Sequence, residues 1–358
     1  MSPSTLYALG CSPMKPLHRA IWLALIVVAT GCGAQPSATP PSGRPLQNVK
    51  VGIMPIPDCV TVPLANMRGY FEAEGLHVEI ETVQGGGVAL PKLKSGALHF
   101  SIMNYTAAVL AEDRQPGTLR IVADAYQSAP NTFKLMVGKN SPIKGLGDLR
   151  GKHIAVATLR SVGTLTTEAA LKIAGLTAED VRFSEMPLPD MIPALQAGKI
   201  DVAWMTEPFI TAYQKTGGET LYDVMQGQTE NWPIAGWATT ADYASTHPRQ
   251  VAAFQRAILK AQADAQDRQV ITDTLPTYTK ISPETAATIT LGTFPMNLHP
   301  DRIQRVADVM LEHQYIASEL DVSRFLIPPP AVHHSPAPPP PPATPSTPAA
   351  SPSKVPAP

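Results

Sequence analysis

The chain has 358 residues, 44% of them apolar, and a formal net charge of −1. That is enough apolar material for one or two packed domains, and it gives no bulk electrostatic reason to expect nucleic acid or an anionic membrane surface as partner. Three cysteines, Cys11, Cys32 and Cys59, exclude a disulfide framework or a cysteine cluster in the fold.

Residues 14–32 open with Lys15 and Arg19, continue through an apolar run over 20–29 and end in small residues before Cys32. This is the layout of a secretory signal, and the run is shorter than the roughly 20 residues a membrane span needs. Residues 1–13 add nothing to it, so Met14 is an alternative start. Ala29-Thr30-Gly31-Cys32 resembles a bacterial lipobox, which implies a leader over 1–31, an acylated Cys32 and a tether over 32–47 rich in Pro, Ser and Thr. The expected location is therefore the outer face of the bacterial cytoplasmic membrane, or its periplasmic side, held by lipid alone. Cys59 is then the remaining thiol, expected as a small buried side chain.

The next elements alternate, which indicates α/β architecture with mostly parallel strands. Strands are expected over 49–54, 76–82, 98–103 and 119–125, and helices over 63–74, 88–95 and 105–111. Leu64, Met67 and Phe71 are expected on one face of the first helix, with Gly75 stopping it. Residues 152–175 read as a strand, a polar elbow and a helix stopped by Gly175.

A repeat emerges here. The stretch from Leu93 through Gly96 to Met103 parallels the stretch from Leu195 through Gly198 to Met205, and at a similar offset 51–61 falls on 153–164. Two similar lobes follow, one over 48–128 plus 234–327 and the other over 129–233, joined by a hinge of two crossings near 129–133 and 226–234. Further helices are expected over 248–265, 282–291 and 300–316. The tail, 328–358, holds 14 of the 38 prolines and no core-forming pattern, so disorder is expected.

Open α/β sheets bind ligands beyond the carboxyl ends of their strands. Facing lobes would bring Asp58, Cys59, Thr61, Gly86, Asn104 and Tyr105 to one side of a cleft, and Arg160, Ser161, Gly163, Thr164, Asp190 and Glu207 to the other. Helix N-termini there favour an anion, and Arg160 would add a charged bond. Asp58, Asp190 and Glu207 instead suit an amine or act as helix caps, and a zwitterion reconciles both sets. Trp232, with Tyr105, would offer a stacking wall, whereas Trp204 and Trp237 read as core. A bulky residue at Gly163 is expected to weaken binding more than stability.

Several motifs together resemble one family: residues 67–76 (MRGYFEAEGL), 93–96 (LKSG), 148–156 (DLRGKHIAV) and 201–208 (DVAWMTEP). They resemble the nitrate, taurine, aliphatic-sulfonate and thiamine-pyrimidine binding proteins of ABC importers, over about 49–325. The resemblance implies a type II periplasmic-binding-protein fold, two Rossmann-like lobes closing on a small solute, and delivery to an ABC permease and its ATPase by a monomer. It implies no cofactor and no metal, and it leaves open a thiamine-precursor pyrimidine as the solute. Related folds catalyse reactions, but the scattered histidines show no ligand spacing and no Ser or Cys partner, so an enzyme is not expected. A solute-sensing protein is the third class considered.

Overall fold

The computed structural model describes residues 45–329. The expected leader, the expected lipidation at Cys32 and almost all of the expected tether and proline-rich tail lie outside the described residues. Among the described residues no helix is long and apolar enough to cross a membrane.

Strand β1 (Gln47–Ile53) leads through a 3-10 turn at Pro57–Cys59 into helix α1 (Thr61–Met67). The spacing predicts a single helix over 63–74, but the chain breaks it at Gly69, which takes φ 69°, and restarts as α2 (Tyr70–Ala73). The break turns Met67 out to 58% exposure, while Leu64 and Phe71 stay buried. Then come β2 (Leu76–Thr82), α3 (Gly86–Lys94), β3 (Phe100–Asn104), α4 (Tyr105–Arg114) and β4 (Leu119–Gln127).

Residues 128–132 carry the chain to a second set, which begins with β5 (Phe133–Val137) and β6 (His153–Val156). Helix α5 (Val162–Ile173), β7 (Arg182–Glu185), α6 (Leu188–Gln196), β8 (Val202–Thr206), α7 (Phe209–Lys215) and β9 (Glu219–Asp223) follow. Residues 224–232 lead back to β10 (Pro233–Thr240). The chain ends in α8 (Ala241–Thr246), α9 (Pro248–Asp264), α10 (Arg268–Thr274), α11 (Pro283–Thr288) and α12 (Pro300–Glu312). Sequence reading assigned no strand to β5 or β7; the helix expected over 282–291 is only α11, and the one over 300–316 stops at Glu312.

Two five-stranded sheets result, ordered β2-β1-β3-β10-β4 and β7-β6-β8-β5-β9. In each, four strands run parallel and one, β10 or β5, runs antiparallel between two of them. The antiparallel strand is the one reached immediately after the chain crosses from the other sheet. The two lobes repeat each other closely: α3 and α6 both begin and end 102 positions apart, with an internal proline at Pro91 and Pro193, and β3 and β8 keep the same offset.

Helix α9 seals the first lobe. Its Gln255 amide donates to the carbonyls of Val122 (2.7 Å) and Ile327 (2.9 Å), and Gln262 donates to that of Asp124 (2.6 Å), so buried polar groups are paired rather than orphaned. Phe254, fully buried, stacks on Phe100 at 4.0 Å between ring centroids and on Phe71 at 5.6 Å. Truncating it opens a cavity that its rigid neighbours cannot fill. Phe254→Ala is expected to cost about 3–5 kcal/mol in denaturant unfolding; a loss under about 1 kcal/mol would contradict this packing.

Candidate functional site

A cavity of about 60 Å³ lies between the lobes, where the carboxyl ends of β1, β3, β6 and β8 meet the N-termini of α3 and α5. The repeat supplies its walls in pairs. Gly86 and Leu188, Ile102 and Trp204, and Asn104 and Thr206 each lie 102 positions apart and all border it, as do Asp58 and Ser161 at 103. The lobes approach closely here, since a side-chain carbon added at Gly85 would come within 3.4 Å of Thr158 Oγ1.

Of the residues expected to contact solute, Asp58, Gly86, Asn104, Ser161 and Gly163 border the cavity. Asn104 accepts the Ala107 N–H through Oδ1 at 2.8 Å, capping α4. Ser161 caps α5, and its own N–H donates to Thr164 Oγ1 at 2.9 Å. The N–H groups of Gly86 and Gly87 on α3 and of Val162 and Gly163 on α5 have no partner within their helices, so both helices present donors and the positive ends of their dipoles to this space. Gly163 also packs against its own lobe: an added side-chain carbon would lie 3.2 Å from the Trp204 ring and 3.3 Å from Val156 Cβ. Substitution there therefore disturbs the core as well as the cavity, which corrects the expectation of a mainly binding defect.

The other expected residues point elsewhere. Cys59 is buried and accepts the Met54 N–H at 3.3 Å, and burial, then the Asp58 charge, push its thiol pKa well up, leaving it unreactive. Thr61 accepts the Trp237 indole N–H at 3.2 Å inside the first lobe. Tyr105 is fully buried beside Gly236 and not in the cavity wall. Thr164 spends its hydroxyl on Ser161. Asp190 is exposed in the first turn of α6, where the helix dipole suits it. Glu207 caps α7 through Thr211 N–H (3.0 Å) and takes the Thr290 N–H of the other lobe (3.1 Å). Trp232, fully buried in the return crossing, donates its backbone N–H to Ser128 Oγ at 2.7 Å and lies under Arg305.

Arg160 turns out of the elbow to form a clasp between the lobes. Its guanidinium donates to the Tyr315 carbonyl at 2.8 Å and lies 4.8 Å over the Tyr315 ring. The Tyr315 hydroxyl donates to Glu168 on α5 at 3.0 Å. Burial pushes the Glu168 carboxyl up to about 7, against the Tyr315 hydroxyl and the Arg160 charge.

Sequence reading missed Trp204 as wall. Its ring stacks on Phe133, which also borders the cavity, at 5.2 Å, and its N–H donates to Thr166 at 3.1 Å, so it is core on one side and lining on the other. The signal was in the repeat: Trp204 stands where Ile102 stands in the first lobe.

Among the described residues Asp58 is the one ionisable side chain in the lining. It is 3% exposed and its Oδ1 has no hydrogen-bond partner. Burial lifts its carboxyl to about 7, against a hydrogen bond from its own backbone N–H. No group of three or more His, Cys, Asp or Glu among the described residues is placed to hold a metal.

The NMT1/THI5-like family model matches residues 56–270. The chain belongs to the NMT1/THI5-like family. A taurine-binding periplasmic protein of Escherichia coli strain K12 is 28% identical over 194 residues, 54% of this chain and 59% of that protein. The chain thus spans less than two thirds of that curated relative's length. Among solved structures, the alkanesulfonate-binding protein SsuA from Xanthomonas axonopodis pv. citri, bound to MOPS, matches 80% of this chain and 99% of its own at 17% identity and a TM-score of 0.66. The desulfurization enzyme DSZB matches 78% of this chain and 96% of its own at 15% identity and a TM-score of 0.60. These likenesses show the two-lobed periplasmic-binding-protein fold for this NMT1/THI5-like chain.

A carboxyl whose pKa is higher folded than unfolded holds its proton more tightly in the native state. Its contribution to stability is whole below about pH 4 and is lost as pH rises through about 7. Glu168 acts in the same direction. The ligand-free protein is therefore expected to lose less stability between pH 4.5 and 7.5 when Asp58→Asn is made, as read by denaturation midpoints; an unchanged fall would place Asp58 in a more polar setting than the cavity wall.

Proposed function

We propose that this chain is the extracytoplasmic substrate-binding component of an ABC importer and takes up a small sulfonate-bearing solute. One observation carries the reading. The N-termini of α3 and α5, one from each lobe, border a single cavity, so a small anionic group there would be hydrogen-bonded from both lobes and would hold them together. The two crossings at 128–132 and 224–232 suit hinge closure, which converts solute binding into a shape that a permease and its ATPase recognise. Attachment through an acylated Cys32, with the protein acting as a monomer, fits this role. The names of the taurine-binding relative and of the alkanesulfonate-binding neighbour support the sulfonate class.

Binding without conversion is favoured over catalysis because the lining offers no nucleophile paired with a base. Its hydroxyls, Thr158, Ser161 and Thr206, have no histidine beside them in the wall, and Cys59 is buried with its Sγ occupied. A flat heteroaromatic solute is the second reading, favoured by Trp204 and Phe133 side by side in the wall. Calorimetry of the exported protein against nitrate, ethanesulfonate, taurine and a thiamine-precursor pyrimidine, with turnover followed by NMR, separates these readings. The expected result is saturable binding of a sulfonate with no product formed. Conversion of the bound solute, or a preference for nitrate or the pyrimidine over both sulfonates, would overturn the assignment.

A further inference from the structure

We propose, on the basis of the sulfonate reading above, that the solute also carries a protonated amine and that Asp58 is the residue that selects it. Asp58 sits on the 3-10 turn between β1 and α1 with its side chain almost wholly buried, in the cavity wall, and one carboxyl oxygen without any donor. A buried carboxylate left in that state is costly, and the cost is relieved either by a proton or by a cation seated against it. Among the described residues, no lysine, arginine or histidine lines the cavity. Arg160, the basic residue in the neighbouring elbow, is committed to Tyr315. A cation seated against Asp58 therefore arrives with the solute.

The repeat sharpens the point. The place that Asp58 holds in the first lobe is held in the second by Ser161, at the N-terminus of α5. The cavity therefore has one acidic corner and one corner of neutral N–H and O–H donors, with Trp204, Phe133 and Ile234 forming apolar wall. An ammonium fits the first corner, an acid group the second, and a short hydrocarbon link the wall. The volume admits only on the order of five water-sized groups, so that link is short. A plain alkanesulfonate would satisfy the donors and leave Asp58 unpaired beside a second negative charge. Burial, which pushes the empty-site carboxyl up to about 7, fits a site in which a proton stands in for the ammonium until solute enters.

The test is a calorimetric series on the full exported chain with three probes: taurine, ethanesulfonate, which lacks the amine, and β-alanine, which keeps the amine and replaces the sulfonate by a carboxylate. Wild type is expected to bind taurine at least tenfold tighter than ethanesulfonate. Asp58→Asn, close in shape, is expected to abolish that preference and to tighten ethanesulfonate binding, while Asp58→Glu retains part of the preference. Melting curves for both variants separate a lost charge from a lost fold. Equal affinity of wild type for taurine and ethanesulfonate, or a taurine preference that survives in folded Asp58→Asn, would overturn the proposal. Should β-alanine bind in an Asp58-dependent way while both sulfonates fail, the amine assignment stands and the sulfonate reading falls. Failure of all three probes overturns both.

Discussion

Everything in this molecule turns on two mixed sheets that present the carboxyl ends of their parallel strands to one another across a cavity of about 60 Å³. The chain reaches that arrangement by doing the same thing twice. A buried strand, an elbow and a helix recur about 102 positions on, α6 repeating α3 and α5 repeating α1, and the N-termini of α3 and α5 come to one cavity from opposite lobes. Each sheet then takes one antiparallel strand from the chain as it arrives from the other, β5 in one and β10 in the other. The lobes are thus tied through the middles of their sheets and not only by surface linkers. Contacts between the lobes include the Arg160–Tyr315–Glu168 clasp, the Glu207 bond to Thr290 N–H, the Lys172–Glu312 ion pair and the Lys215 bond to Thr285. Polar contacts of this kind contribute modestly each, which suits the hinge closure proposed above.

The asymmetry between the two halves of the repeat is where recognition resides in this account. Equivalent positions carry Asp58 and Ser161, Ile102 and Trp204, Asn104 and Thr206. Duplication builds the walls, and divergence at these places decides what fits between them. The position that departs furthest in chemistry is Asp58, the one carboxyl in a lining otherwise made of donors and apolar groups. That residue also links stability to occupancy, since its charge is unwelcome in the empty site and welcome beside a cation.

Much of the fold was legible in the sequence because buried strands and amphipathic helices leave periodic apolar patterns. The run around Val202 and the helix carrying Leu165 and Ala169 are such cases. The strand β5 was not legible, since FKLMV is a five-residue segment directly after a crossing with buried side chains on both faces and hence no alternation. The break at Gly69 was equally hidden, because Met67 and Phe71 keep helical spacing across it and only the backbone angle shows the turn. At the site, helix-capping positions such as Asn104 and Ser161 were readable from residue type and place. Arg160 was not: the elbow could be located, but the direction of a long side chain depends on Tyr315, 155 residues away in sequence. Trp204 looked like core for the sound reason that it is core, and only its exposed edge belongs to the cavity.

The most direct test of the central claim, that a zwitterion bridges Asp58 and the α5 N-terminus, is a crystal structure of the protein grown with taurine. The account predicts the sulfonate against the backbone N–H groups of Val162 and Gly163 and the ammonium at about 2.7–2.9 Å from Asp58. A sulfonate seated without the ammonium reaching Asp58, or a taurine found outside the interlobe cavity, would contradict it.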